Sequence, residues 1–88
     1  RGDMMTLLKL RKGQYALVEE RVAPTATAVG HAIRDLTLPT ECALAAVIRG
    51  GQLLVPRPDL VLQSEDEVLA VVHSSQAQQL AELLGQAQ

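Results

Sequence analysis

The sequence of 88 residues contains no phenylalanine, no tryptophan and a single tyrosine. Nearly half of its residues (48%) are nevertheless hydrophobic, so the core has to be built from valine, leucine, isoleucine and alanine. These side chains bury less surface than aromatic ones, and burial contributes roughly 25 cal/mol per Å² of apolar surface. A single copy of so small a domain is therefore expected to be only marginally stable. Burial against a second copy or a neighbouring domain would add stability.

Cysteines, basic runs and long apolar segments are scarce as well. The single cysteine, Cys42, cannot form an internal disulfide and heads an apolar run, which favours a buried small residue over a nucleophile. The eight basic residues are dispersed and the net charge is −2, so we expect no nucleic-acid partner. No run approaches the roughly 20 apolar residues of a membrane span, and no signal-peptide pattern is present. We expect no direct membrane insertion of this segment.

The distribution of apolar segments and turn residues along the chain predicts one domain with short extensions. Residues 1–14 are assigned to a connector arm, in which Met4, Leu7 and Leu8 share a helical face, residues 15–85 to the domain, and residues 86–88 to a tail. The first residue is Arg1 rather than methionine, from which we expect the chain to be a piece of a longer protein.

The first half of the domain is expected to contain a strand and a helix. Residues 15–22 alternate apolar and polar side chains, as a half-buried strand does, and Pro24 ends that pattern. Thr25 then offers a helix N-cap. The apolar residues that follow have helical spacing, and Pro39 prevents continuation. These residues are Val29, Ala32, Ile33 and Leu36.

The second half is expected to complete a sheet and end in a helix. Residues 43–48 and 67–72 are apolar on both faces, and Gly50-Gly51 is typical of a two-residue hairpin turn. That turn would pair Ile48 with Leu53, Val47 with Leu54 and Ala46 with Val55. Ser74 or Ser75 is the expected cap of a final helix whose apolar positions are Ala77, Leu80, Ala81 and Leu84. The predicted fold class is therefore α/β (α+β two-layer), with a small mixed β-sheet of four to five strands and two amphipathic helices.

Few residues are equipped for catalysis or metal binding. The strong candidate ligands are His31, His73 and Cys42, and no pair of them has the spacing of a metal motif. The glycines lack the strand–loop–helix context of a phosphate-binding loop. We therefore expect no enzyme activity, no metal and no resident cofactor.

From residue 15 to residue 84 the sequence resembles the C-terminal regulatory domain of TrkA/Ktr-type potassium-transport proteins, known as RCK_C or TrkA_C. The matching segments are Val29–Leu36, Leu38-Pro39, Val47–Gly51, Val55-Pro56, Leu62-Gln63, Asp66–Leu69 and the closing amphipathic helix. One departure concerns the turn before Asp66, where the family often has glycine and this sequence has Glu65.

The resemblance implies a two-layer α/β domain that forms a homodimer. It implies a place at the cytoplasmic face of the cell membrane, as the regulatory domain of a potassium or cation transporter, channel subunit or antiporter. Some members of the family bind cyclic di-AMP between two copies. On this resemblance the expected ligand-binding residues are Arg49, as the phosphate ligand presented once by each copy, with Val47, Ile48, Val55 and Pro56 as apolar walls and His31 as a further donor.

Two other functions remain open at this stage. The domain could be a purely structural module that dimerises or docks its parent protein without any small molecule. It could also be an amino-acid-binding regulatory domain of a metabolic enzyme, although that class has a regular βαββαβ order and the Pro-flanked segment 56–62 argues against it.

Overall fold

The computed structural model describes residues 3–85, which form a five-stranded sheet with one α-helix in that range. The strands are β1 (Met5–Leu10), β2 (Tyr15–Arg21), β3 (Cys42–Arg49), β4 (Gln52–Leu54) and β5 (Glu67–His73), and the helix is α1 (Ala77–Leu84). Two short 3₁₀ turns, Ile33–Asp35 and Ser74–Gln76, precede β3 and α1. The strand order is β1-β2-β5-β3-β4, and every neighbouring pair is antiparallel. The two-layer α/β character is confirmed, whereas the prediction of a mixed sheet was wrong.

The predicted helix after Pro24 does not form, so the prediction of two helices was also wrong. Gly30 has a φ of +82°, which is incompatible with a right-handed helix. The backbone here bonds to a distant segment instead of to itself: Gly30 donates to the carbonyl of Leu62 at 2.8 Å, and Ile33 donates to that of Leu60 at 2.9 Å. The apolar periodicity reflects a loop that packs Ala28 and Ala32 inward, with only Ile33–Asp35 in a 3₁₀ turn.

Residues 5–10, which the sequence analysis assigned to a connector arm, form the edge strand β1. A turn at Arg11–Gln14 joins β1 to β2, with φ values of +51° at Arg11, +57° at Lys12 and +88° at Gly13. Positive φ is uncommon for residues other than glycine, and this is why the turn could not be recognised from the sequence. The predicted tail at 86–88 lies outside the described residues.

The sheet has one covered face and one open face. On the covered face the inward residues of β2, β3 and β5 pack with Leu62 and with Leu80 and Leu84 of α1 to form the core. The inward residues of the strands are Ala16, Val18, Val47, Val68, Ala70 and Val72. On the open face the alternate residues of β5, such as Leu69 and Val71, are only half-buried. Strand β5 is therefore apolar on both faces, as expected, but within the domain only one of these faces is fully buried.

The Gly50-Gly51 hairpin has the predicted register. Val47 pairs with Leu54 and Ile48 with Leu53, and the two glycines have φ values of +57° and +80°, as a two-residue hairpin turn requires. The predicted pairing of Ala46 with Val55 is absent, because β4 ends at Leu54.

The predicted final helix is present, but the residue that caps its start is not the predicted serine. Leu80 and Leu84 are buried as predicted. The turn before α1 is capped by the His73 side chain, which accepts a hydrogen bond from the Ser75 backbone N–H, and not by a serine. No helix within residues 3–85 is long and apolar enough to cross a membrane.

Candidate functional site

Arg49 and Asp66 form a bidentate ion pair at one end of the sheet. Arg49 is the last residue of β3, immediately before the Gly50-Gly51 turn, and Asp66 immediately precedes β5. Arg49 Nε donates to Asp66 Oδ1 and Arg49 Nη2 to Asp66 Oδ2, both at 2.8 Å. Nη2 also donates to the Val61 carbonyl at 2.9 Å. The guanidinium is therefore held in one orientation by a bidentate ion pair and a backbone acceptor.

The ion pair is buried at its acidic end and accessible at its basic end. Asp66 is 1% exposed and the Arg49 side chain 32%. Burial alone would raise the pKa of Asp66, but the hydrogen bonds from Arg49 and from the Gln63 N–H, with the charge of Arg49, outweigh it and hold the pKa below its usual value. Asp66 therefore stays ionised, and it neutralises much of the positive charge that Arg49 would otherwise present.

The turn that carries Asp66 has an unusual backbone. Glu65 has a φ of +75°, and its N–H donates to the Val22 carbonyl at 2.8 Å while the Val22 N–H donates to the Asp66 carbonyl at 2.7 Å. Glycine adopts a positive φ without steric cost. Glu65 adopts it at the cost of backbone strain, because its Cβ is crowded in the left-handed conformation.

A groove beside the ion pair, which we call the Arg49 groove, is the best candidate for a binding site. It has a volume of about 470 Å³. Arg49, Arg57, Asp59 and Gln63 contribute polar groups, and Leu53, Leu54, Val55, Leu60 and Val61 contribute apolar walls. Leu53, Val55 and Val61 are all exposed, Leu53 to 63%. The groove therefore combines a charged rim, with two arginines and one aspartate, with an aliphatic surface that is in contact with water.

The structure brings together only some of the residues that the sequence analysis selected as ligand-binding. Arg49 and Val55 line the groove, and Pro56 follows Val55 in the chain and is half-buried. Val47 is fully buried in the core. Ile48 lies on the opposite side of β3 from Arg49, because neighbouring residues of a strand alternate between faces. His31 is an exposed loop residue and is not among the lining residues.

Sequence reasoning missed several residues of this site. Asp66 was not selected as a site residue, although it is the partner of Arg49. Arg57, between two prolines, was not singled out, and neither were Leu53 and Val61. The signal that the sequence offered was in residues 53–61, where apolar residues alternate with prolines and one arginine. That pattern is typical of an exposed segment that keeps an apolar surface. Within residues 3–85, no group of three or more histidine, cysteine or acidic residues is placed to hold a metal ion.

Comparison with known proteins gives a consistent result. Residues 17–85 match the family model of the TrkA-C domain. Among curated proteins, the chain is similar to the Trk system potassium uptake protein TrkA of Mycobacterium tuberculosis (strain ATCC 25618 / H37Rv), with 35% identity over 83 residues, or 94% of this chain and 38% of that protein. It is also similar to TrkA of Halomonas elongata, with 33% identity over 82% of this chain and 16% of that protein. The TrkA homolog of Archaeoglobus fulgidus is 32% identical over 90% of this chain and 18% of that protein. The chain therefore spans well under half the length of these relatives.

Proposed function

This chain belongs to the TrkA-C domain family, and on that premise we propose that it is a regulatory dimerisation domain that controls a potassium or cation transporter. Its curated relatives are named potassium uptake proteins, and the domain would act at the cytoplasmic face of the membrane through its parent protein. The observation that carries the proposal is the Arg49 groove, where a fixed guanidinium lies beside exposed aliphatic side chains. The proposal assigns no catalytic residue.

The exposed walls of the groove support association with a second copy. Leu53, Val55 and Val61 are three of the six large hydrophobic residues that are exposed within residues 3–85, and all three border the groove. Contact with a second copy would remove this surface from water and would contribute the burial that a core without phenylalanine or tryptophan lacks. A two-fold arrangement would also present Arg49 twice across the interface, once from each copy.

The same groove is suited to an anionic ligand with flat apolar faces. Arg49 uses Nε and Nη2 for Asp66 and Val61. Nη1 donates to no residue in the 3–85 range, so its N–H groups remain available to a phosphate oxygen. Arg57 forms no ion pair with any described residue and supplies a second cation at the rim. Cyclic di-AMP, which has two phosphates and two purines related by a two-fold axis, is the ligand we propose.

Regulation would follow from a difference in affinity between two arrangements of the dimer. A ligand shifts an equilibrium only by as much as it binds one state more tightly than the other. A ligand shared by two grooves binds best where the grooves face each other, and it would therefore favour that arrangement of the parent transporter.

A second candidate is a purely structural dimerisation or docking module, and one observation favours it. Asp66 pairs with Arg49, and Asp59 lies in the same groove as Arg57, so the two positive charges of the groove are matched by two negative ones. A groove with little net charge attracts a dianionic ligand weakly, but it can still bury aliphatic surface against another protein.

Thermal unfolding in the presence of cyclic di-AMP distinguishes the two candidates. At a ligand concentration 100 times the dissociation constant, the folded state should gain about 2.7 kcal/mol. The matched pair of variants is Arg57→Gln, in the groove, and Arg34→Gln, an exposed arginine of the 3₁₀ turn, with 5′-AMP as the control nucleotide. The proposal predicts that Arg57→Gln weakens the shift and Arg34→Gln does not.

The absence of any shift at millimolar cyclic di-AMP, in a protein that sediments as a dimer, would leave the structural module as the function. A protein that stays monomeric at millimolar concentration, with or without the ligand, would refute the ligand-sensing dimer and the structural dimerisation module, and would leave docking to another protein as the function.

A further inference from the structure

Strand β1 carries a second group of exposed hydrophobic residues, at the edge of the sheet opposite to β4. Met5, Leu7 and Leu8 are all exposed, Leu8 to 55%. Within residues 3–85 the only strand that pairs with β1 is β2, so the outer edge of β1 presents backbone N–H and C=O groups that no strand in this range satisfies. An exposed edge strand with apolar side chains is a template for the addition of another strand.

The charges along β1 are arranged so that the strand complements itself. Asp3, which precedes the strand, is acidic, whereas Lys9 lies near its end and Arg11 and Lys12 form the following turn. All four residues are exposed, and the residues between Asp3 and Lys9 are uncharged. When two such strands run antiparallel, the acidic end of each lies beside the basic end of the other.

A bulge fixes the register that this pairing can take. Thr6 pairs with Val18 and Leu8 with Leu17, so Leu7 is the additional residue on β1. With Leu8 on a two-fold axis and Leu7 passed over in both copies, Thr6 lies opposite Lys9, and Met5 lies opposite Leu10 of the second copy. Because β1 ends at Leu10 and the chain turns there, Asp3 of each copy then lies beside the basic turn of the other copy, which contains Arg11 and Lys12.

The neighbouring registers are less favourable. Residues that face the same edge of a strand are two positions apart, so the pairing of two strands can slip only in steps of two residues. Each such step moves the two-fold axis by one residue along β1. Lys9 on the axis would bring two like charges directly opposite each other, which is destabilising. Thr6 on the axis would place Asp3 opposite Leu10 and away from the basic turn.

From this complementarity we infer that β1 is a self-association surface, at which the β1 strands of two copies pair antiparallel around Leu8 to form a continuous ten-stranded sheet. Met5, Leu8 and Leu10 pair within the domain with Glu19, Leu17 and Tyr15, which places them on the open face. The contact would therefore join the half-buried apolar residues of two open faces. This surface is separate from the Arg49 groove, and the inference does not rest on the proposed function.

Disulfide trapping tests the contact at its centre. Residues directly opposite each other in an antiparallel pair have Cβ atoms about 4.5–5.5 Å apart, close to the distance that a disulfide spans. In the 88-residue chain carrying Cys42→Ala, which removes its one native thiol, Leu8→Cys should give a covalent dimer as the main product of mild oxidation. Thr6→Cys, the control, should remain largely monomeric because its side chain lies opposite Lys9. Equal cross-linking of the two variants would overturn the inference.

Charge exchange tests the register without a cross-link. Asp3→Lys alone and Lys12→Asp alone should each weaken association in sedimentation velocity, and the combination of both changes should restore it. Leu8→Lys, which places two ammonium groups on the axis, should abolish it, with far-UV circular dichroism to verify folding. Failure of the double exchange to restore association would contradict the pairing.

A groove variant distinguishes this contact from the proposed dimer. Leu53→Lys disturbs the Arg49 groove and should leave the Leu8→Cys cross-link unchanged. If Leu53→Lys abolishes that cross-link, the groove and not β1 carries the association, and the inference is refuted while the proposed function stands.

Discussion

Glu20 is a buried carboxyl group with no hydrogen-bond partner among residues 3–85, and replacing it by glutamine should stabilise the protein in a pH-dependent manner. Glu20 is 1% exposed, it lies on the covered face of β2 between Val18 and Val22, and neither carboxylate oxygen has a hydrogen-bond partner within residues 3–85. Burial raises the pKa of Glu20 and outweighs the backbone N–H of Asp3, which lies near the carboxylate and lowers the pKa without reaching hydrogen-bond geometry; the Asp3 carboxylate raises the pKa further. The folded state therefore holds a proton that the unfolded chain releases near the ordinary value of 4.5.

The sign of the pH dependence follows from this difference. Stability is at its highest below the unfolded pKa, and it is lost as the pH rises through the higher folded pKa. Glu20→Gln mimics the protonated side chain and does not titrate. The variant should match the parent near pH 4 and exceed its free energy of unfolding by about 1–3 kcal/mol near pH 8, the usual cost of an unsatisfied buried polar group. For a chain of this length, each kcal/mol corresponds to roughly 5 °C in Tm.

Urea unfolding followed by far-UV circular dichroism at four or five pH values provides the measurement. Glu19→Gln is the matched control, since Glu19 is the neighbouring glutamate on the open, half-buried face of the same strand. Its effect should be small. If Glu20→Gln destabilises the protein at pH 8, the carboxylate has a favourable partner and the reasoning is refuted. A stabilisation of the same size at every pH would refute the titration argument alone.

Three further substitutions test other contacts, each by urea unfolding. Arg49→Gln leaves the carboxylate of Asp66 buried without a cation and should cost about 3–5 kcal/mol of unfolding free energy at pH 7. Because pairing lowers the pKa of Asp66, this cost should shrink as the pH falls through the pKa of Asp66 in the folded state. A cost that does not change with pH would contradict the role of the ion pair. Glu65→Gly relieves a φ of +75° and should stabilise by about 1 kcal/mol, whereas Glu65→Ala should not. His73→Ala removes the acceptor for the Ser75 N–H and should cost about 1 kcal/mol, with partial recovery in His73→Asn; equal loss in the two variants would assign the effect to ring packing.

Local chemistry made the hairpin predictable from the sequence. The Gly50-Gly51 turn requires two positive φ values that glycine adopts without cost, and the apolar pairs Ile48–Leu53 and Val47–Leu54 followed directly. The helix at residues 29–36 was predicted from equally local evidence and was wrong, because the backbone of that segment bonds to residues 58–62. Four apolar positions at helical spacing carry no information about such a distant partner.

The candidate site was predictable to the same extent. Arg49 could be selected because a lone arginine at the end of an apolar strand is conspicuous, whereas its partner Asp66 is 17 positions away in the chain. An ion pair of that kind depends on how the β3 end and the β5 start meet in the sheet, and a single sequence does not specify that. β1 was missed because the turn that follows it places Arg11 and Lys12 at positive φ. Neither residue type favours that conformation, so the sequence does not indicate a turn there.

The contacts of Asp66 connect the Arg49 groove to the backbone that follows β2. The Asp66 side chain accepts hydrogen bonds from Arg49, and the Asp66 carbonyl accepts one from the Val22 N–H. One residue therefore links the groove to the segment that follows β2. An anion strong enough to draw the guanidinium away would loosen that tie, and the amide proton of Val22 would then exchange faster with solvent. An anion that binds through Nη1 alone would leave the exchange rate as it is, so the two modes of occupancy could be told apart without a structure of the complex.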